Sequence, residues 1–293
     1  MTQPLKDRTY IITGAGKGLG RAYALHLAGL GANLVVNNRR HAGESRSSAE
    51  RVVDEIVAGG GSAIAEHSEA EAPDCGERLL ASALEAYGRV DGLVANAGVS
   101  EGRTFNKQDP AEFRRVIEIN LMGTVHAVHP VYRHFYAQRR GAIIVSTSVA
   151  GLYSEHGLPA YSTSKAGLLG FMRALSQEGR GHDVRVNALA PYASTGMTED
   201  SLSEAMRERM RPERVAPAVA WLLSDECRVT GEIVIAGGGL MTTAGVREPE
   251  PVEVPDDADP ATLDRAWQAL CDRPLDKSYR SSLDHFAGFM GAP

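Results

Sequence analysis

Short apolar runs alternate with stretches of helical spacing along most of the chain. Runs at 10–12, 33–37, 62–65, 92–95, 142–145, 184–189 and 232–236 are each largely apolar, and they predict strands buried on both faces. Between them, apolar side chains recur every three or four positions. Leu19, Ala22, Leu25 and Leu27 mark a first helix that Gly31 stops. The same spacing predicts helices over 47–58, 74–87, 111–138, 160–178, 199–210 and 214–224. Strand and helix taking turns in this way predict an α/β protein. Its single main domain is a doubly wound parallel sheet of about seven strands flanked by helices, with right-handed crossovers.

The pattern changes after Arg247. Residues 248–260 hold six acids, four prolines and no base, which reads as an extended linker. Asp259-Pro260 then makes a good helix start, and Leu263, Trp267 and Leu270 follow at helical spacing. The division expected is a catalytic domain over 1–246 and a tail over 247–293. That tail carries one short amphipathic helix that docks on the active-site mouth or a neighbouring subunit; a disordered acidic tail is the alternative.

Composition narrows the function classes. Hydrophobic residues are 43% of the 293 and charged residues 23%, ordinary for a globular chain that can bury a core unaided. The 31 Lys and Arg against 37 Asp and Glu leave a formal charge of −6, which argues against a nucleic-acid partner. Cys75, Cys227 and Cys271 have neither metal-ligand nor disulfide-framework spacing. Without a signal-like start or a membrane-length apolar run, the expectation is a cytoplasmic protein with no metal and no membrane partner.

The chemistry begins at Thr13-Gly14-Ala15-Gly16-Lys17-Gly18-Leu19-Gly20, between the first strand and the first helix. Glycines there permit a sharp turn and a close approach by a pyrophosphate, and the helix start offers free N–H groups and a partial positive charge. Tyr161 and Lys165 stand four residues apart on one helix, so their side chains share a face. A free phenol is a poor base at neutral pH. An ammonium about 4 Å away contributes about 4 kcal/mol at an effective dielectric of about 20, before desolvation opposes it.

With its TGxxxGxG spacing and its YxxxK pair, the chain resembles the short-chain dehydrogenase/reductase family over about residues 6–246. Further landmarks fall in the family's order: Asn96-Ala97-Gly98 closing the fourth strand, Asn120 in the long helix, and Ser148 thirteen residues before Tyr161. The resemblance implies a Rossmann-type fold and hydride transfer between a nicotinamide and a carbinol carbon. It implies that Tyr161 moves the proton, Ser148 holds the substrate oxygen, Lys165 tunes Tyr161 and binds ribose, and Asn120 anchors a water relay. It also places Gly14, Gly16, Gly18, Leu19, Gly20, Asn96, Ala97, Gly98, Pro191 and Thr195 against the cofactor. Tyr192 replaces the family's glycine after Pro191 and puts the geometry of that loop in question.

For cofactor choice, Asn38 stands where relatives selecting NAD carry an acid. Arg39 offers a fork for a 2′-phosphate, and Lys17 offers a second cation. The charges favour NADP(H), with NAD(H) the alternative; Arg39, Arg40 and Lys17 also read as ordinary surface charges. Tyr153, His156, Tyr192 and Met197 join Ser148 as candidates for the substrate pocket. Leu202, Met206 and Met210 suit either a bulky apolar substrate or packing onto the body. Runs such as 34–37 and 229–232 resemble the dehydrogenase domain of peroxisomal multifunctional β-oxidation enzymes, which act on 3-hydroxyacyl-CoA and hydroxysteroids. A homodimer or homotetramer is implied, with Leu168, Leu169, Met172 and Leu175 offered as the packing surface. A silent nicotinamide-binding regulator or scaffold, or a lyase or epimerase on the same fold, are the competing functions.

Overall fold

The computed structural model describes residues 3–194 and 203–290. The chain divides into two compact units, 1–243 and 244–293.

In the first unit the strands are β1 (Thr9–Ile12), β2 (Asn33–Asn37), β3 (Ser62–Glu66), β4 (Gly92–Ala95), β5 (Gly141–Ser146), β6 (Val184–Tyr192), β7 (Ile233–Gly237) and β8 (Leu240–Ala244), the last ending one residue beyond the unit. They form one sheet in the order β3-β2-β1-β4-β5-β6-β7-β8. Neighbours from β3 to β7 are parallel, so the chain winds outward from β1 in both directions. This is the Rossmann-type α/β architecture that the alternation predicts, with eight strands rather than about seven. The eighth is a return strand: Gly238 and Gly239 both adopt positive φ, at 60° and 80°, and make the two-residue turn that folds β8 back on β7.

The helices are α1 (Gly18–Gly29), α2 (Ser48–Ala58), α3 (Cys75–Tyr87), α4 (Pro110–Ile117), α5 (Gly123–Gln138), α6 (Ala150–Tyr153), α7 (Pro159–Gly179), α8 (Glu204–Arg209) and α9 (Ala216–Leu223). Helices α1, α2 and α9 cover one face, where Tyr23, Leu27, Val52, Ile56, Val219 and Leu222 pack over Ile12, Leu34, Val36 and Ile144. The opposite face takes α3, α5 and α7, joined by the Tyr132 hydroxyl, which donates to the Leu175 carbonyl at 3.2 Å. Every residue of β1, β4 and β5 is buried, which is what continuous apolar strands between two helix layers require.

Three expectations need correction. The long helix predicted over 111–138 is interrupted by a π-turn at Glu118–Met122, centred on Asn120. Strand β6 runs to Tyr192, three residues past its predicted end, because Pro191 and Tyr192 still lie in register with Ala236 and Gly237. Leu168, Leu169 and Met172 are buried inside the chain and offer no free surface to a partner, whereas Leu175 is half-buried.

The second unit contains two helices, α10 (Pro260–Cys271) and α11 (Ser282–Met290), where one was expected. Asp259 caps α10 as predicted, its carboxylate accepting the Thr262 N–H at 2.8 Å. Glu248 and Lys277 pair their backbones, and His285 meets the Glu248 carboxylate at 3.0 Å.

Candidate active site

The candidate residues gather at the carboxyl ends of the central strands, where an open parallel sheet presents its loops. After β1 the chain turns through Gly14 and Gly18, both at positive φ (63° and 54°). A Cβ on Gly14 would sit 2.8 Å from the Ala97 backbone, and one on Gly16 would sit 2.1 Å from Ser48 Oγ. Gly20 lies beneath the turn, where a Cβ would meet the Gly14 carbonyl at 2.4 Å. Leu19 packs on the core below. Helix α1 then starts with no side-chain cap and no acid in its first turn, and exposed Lys17 is its N-cap. The N–H groups of that first turn are therefore open to an anion. These residues fit a dinucleotide's pyrophosphate.

Asn96 braces this turn from below. Its Nδ2 donates to the Thr13 carbonyl at 3.1 Å and to the Gly14 carbonyl at 3.3 Å. Buried Thr13, which the sequence reading did not single out, accepts the Asn96 and Ala97 N–H groups on its hydroxyl, each at 3.0 Å. Its position at the head of the glycine run was the available signal. At the end of β2, Asn38 Nδ2 donates to Ser48 Oγ at 2.8 Å. Arg40 pairs with Glu50, whereas exposed Arg39 has no ion pair among the described residues. Glu66 is a buried carboxylate at the end of β3. It accepts from Asn37 Nδ2 at 2.6 Å, from the Ser68 N–H and from the Ser68 hydroxyl.

Asn120 is fully buried in the π-turn. Its side chain accepts the Val99 N–H at 2.8 Å, donates to the Val99 carbonyl at 2.9 Å, and donates to Ser164 Oγ at 3.0 Å. Ser164 in turn donates to the Tyr161 carbonyl at 2.7 Å, so this serine inside the Tyr-Lys motif ties the π-turn to α7. Gly98 separates Asn120 from Lys165: a Cβ there would lie 3.1 Å from Asn120 Oδ1 and 3.4 Å from Lys165 Nζ.

Lys165 is buried, and its Nζ donates to the Ser146 carbonyl at 2.7 Å while lying 5.7 Å from the centre of the Tyr161 ring. Burial pushes its pKa down to about 8. The Tyr161 phenol stands above its usual value: burial raises it, the Ser148 hydroxyl beside it pulls it down, and Glu155 raises it further. Burial is the largest influence, and Lys165, whose Nζ is 5.7 Å from the ring centre, does not offset it. Ser148 Oγ accepts the Ala150 N–H at 3.1 Å, which leaves the serine proton free to be donated.

Tyr153, His156 and Tyr192 are exposed, and Pro191 is half-buried near the end of β6. Ser154 has φ 64° and ψ 168°, a region that glycine tolerates and serine does not, so the loop between Ser148 and Tyr161 is strained. Thr195, Met197 and Leu202 lie outside the described residues. Among the described residues no group of three or more His, Cys, Asp or Glu side chains is placed to hold a metal, and no helix is long and apolar enough to cross a membrane.

A parallel sheet wound outward from β1, an uncapped glycine turn and a Ser-Tyr-Lys set define a nicotinamide-dependent oxidoreductase class. The short chain dehydrogenase family model matches residues 8–206, and the chain belongs to the short-chain dehydrogenase/reductase family. That family uses nicotinamide cofactors. A short-chain type dehydrogenase/reductase of Mycobacterium tuberculosis is 38% identical over 239 residues, covering 80% of this chain and 84% of that protein. The peroxisomal multifunctional enzyme type 2 of Mus musculus is 37% identical over 245 residues, 82% of this chain. The match takes in only 33% of that longer enzyme. A crystal structure of a short chain dehydrogenase from Mycobacterium avium superposes with a TM-score of 0.82 at 34% identity, covering 95% of this chain and all of the other.

Proposed function

We propose that the chain interconverts a secondary alcohol and a ketone on a bulky apolar substrate. The candidates are a hydroxyacyl thioester, a steroid or a terpenoid-like molecule, and the thioester leads because of a 34% identity over 246 residues to a 3-oxoacyl-[acyl-carrier-protein] reductase of Synechocystis. The observation that carries the reading is the Ser148 hydroxyl beside the Tyr161 phenol, with buried Lys165 behind it.

The nicotinamide, when bound, donates or accepts the hydride. The chain's own residues do the rest. The Ser148 Oγ–H, whose acceptor side is satisfied by Ala150, holds the substrate oxygen. Tyr161 Oη gives that oxygen a proton in reduction and removes one in oxidation. With its pKa raised by burial, the phenol is protonated at neutral pH, which suits the reductive direction. Lys165 keeps a positive charge behind the phenol and reaches the nicotinamide ribose. Asn120 holds the π-turn in place, and its main-chain carbonyl, with a second lone pair beside the Thr124 bond, supports the water relay. The glycine turn with Lys17, Asn38, Arg39, Asn96, Ala97, Gly98, Pro191 and Thr195 would hold the dinucleotide.

NADP(H) is favoured over NAD(H), because Arg39 is exposed, without an ion pair among the described residues, and beside an asparagine rather than an acid. The protein acts in the cytoplasm as a homodimer or homotetramer in this reading. The test is reduction of a 3-oxoacyl thioester by NADPH. Tyr161→Phe should lower kcat by about a hundredfold or more while leaving cofactor binding intact. Titration of NADPH and NADH against Arg39→Ala should weaken NADPH alone by about tenfold, or 1.4 kcal/mol. Turnover that survives Tyr161→Phe would end the reading.

A further inference from the structure

A cavity lies at the end of the sheet opposite the candidate active site. It encloses about 530 Å³ and is lined at the amino ends of four central strands by Tyr10, Asp91, Gly141 and Val184. The catalytic candidates follow the opposite, carboxyl ends. What distinguishes the cavity is its charge. Six arginines line it against three carboxylates, in a chain whose own formal charge is −6.

The arginines differ in how they are held. Arg8 meets Asp91 at 3.1 Å and Asp225 at 2.5 Å, and Arg140 meets Asp225 at 3.0 Å. Arg185 donates to the Leu222 and Ser224 carbonyls at 3.0 and 2.9 Å, and Arg139 donates to the Gly181 carbonyl at 2.8 Å. Carbonyl bonds fix a guanidinium without cancelling its charge. Arg180 and Arg228 are exposed and make no salt bridge or side-chain hydrogen bond among the described residues, although the charge of Arg228 is felt by the neighbouring Glu226 carboxylate. Tyr10, 2% exposed, also lines the cavity; burial and then Asp91 hold its phenol far above the usual range, so it remains a neutral donor.

The rim is also strained. Arg139 and Asp183 have φ of 55° and 53°, two of the four non-glycine residues at positive φ among those described. Guanidinium forks match phosphate oxygens in pairs, and an excess of them around one concavity is relieved by a multivalent anion. A volume of this size lies within the range of small-molecule sites.

We propose that this cavity binds a compact diphosphate group, free or carried on a small molecule, at a site separate from the cofactor turn. The proposal does not depend on the chemistry assigned to Tyr161. Pyrophosphate is the probe, titrated by calorimetry at about 0.15 M salt, where loose surface attraction is screened. The titration is made with and without saturating NADPH, using wild type and the Arg180→Ala/Arg228→Ala double variant. The expected result is a wild-type site that persists with NADPH present and weakens at least tenfold in the variant. The variant's unfolding midpoint should change little and its NADPH affinity not at all, because the one interaction lost, between Arg228 and exposed Glu226, is a screened surface one. A second variant, Arg228→Glu, should weaken pyrophosphate further. Absence of a wild-type site, or binding that survives both variants, overturns the proposal.

Discussion

Two neighbouring strands end at the same edge of the sheet, and the helices that follow them begin in opposite ways. After β2, helix α2 opens with a complete capping box. Ser47 Oγ accepts the Glu50 N–H at 3.1 Å, and the Glu50 carboxylate accepts the Ser47 N–H at 2.8 Å. After β1, helix α1 opens with Lys17 as N-cap, no side-chain acceptor and no acid in the first turn. A cap is worth about 1 kcal/mol, so α1 forgoes stability that α2 takes. What α1 gains is a row of free N–H groups facing the proposed pyrophosphate position. The capped helix supports the uncapped one. Ser48, the first residue of α2, packs on Gly16 and accepts from Asn38, and the Ala15 N–H bonds the Asn37 carbonyl at 2.8 Å.

Gly14→Ala should break this arrangement most severely. Positive φ costs an L-residue about 1–2 kcal/mol, and the contact with the Ala97 backbone adds a similar amount. The expected loss is about 2–4 kcal/mol in denaturant unfolding, with dinucleotide binding weakened about a hundredfold or more. Retained affinity in a folded variant would show that the turn is not the anion site. Ser47→Ala separates the two helix starts. It should cost about 1 kcal/mol of stability and leave cofactor affinity alone, since it removes only the cap of α2. A matching loss of affinity would mean that α2 shapes the cofactor site directly.

The glycine turn was legible because its backbone needs particular residues at particular spacings, and Thr13 to Gly20 spell them out. Tyr161 and Lys165 were legible for the same reason, since i, i+4 geometry follows from the helix itself, whereas Ser148 was reached only through the family resemblance. The π-turn at Asn120 was not. Apolar positions run through it without a break; an asparagine in mid-helix, a poor helix former, was a sign of a bend there but not of one extra residue. The eighth strand hid because Leu240–Ala244 is mostly exposed and lacks an apolar run, although Gly238-Gly239 was a hairpin signal. The apolar face of α7 shows a different limit. Periodicity revealed that Leu168, Leu169 and Met172 share one side, but whether that side met the sheet or a partner depended on packing. For Tyr161, spacing identified the neighbouring charge, while burial, which sequence does not reveal, decided the direction of the pKa.

Lys17→Ser gives α1 the cap that it lacks. Serine at the N-cap accepts an N–H from the first turn, so stability should rise by about 0.5–1 kcal/mol. The same bond occupies a donor meant for the ligand, and the substitution removes a cation, so NADPH should bind more weakly. Stability and affinity therefore move in opposite directions at one position. If both rise, the open helix start has no binding role.

Acid should distinguish the two starts without mutation, and with the smallest effect of the set. The Ser47 backbone N–H holds the Glu50 carboxyl below its ordinary value of 4.5, and Arg40 and His67 assist. A carboxyl depressed in the folded state stabilises fully above the unfolded value, and that contribution is lost as pH falls through the folded one. The capping box should therefore loosen only below about pH 4.5, as Glu50 takes up its proton. Helix α1 has no acid in its first turn and nothing there to protonate. In a pH series of amide spectra, the Ser47 and Glu50 N–H signals should shift with a common midpoint below that value, and the Gly18 to Gly20 signals should not follow. Glu50→Gln should abolish the transition. A shift at Gly18 to Gly20 with the same midpoint would show that the glycine turn depends on the charge of the neighbouring cap, and that the two helix starts act as one unit.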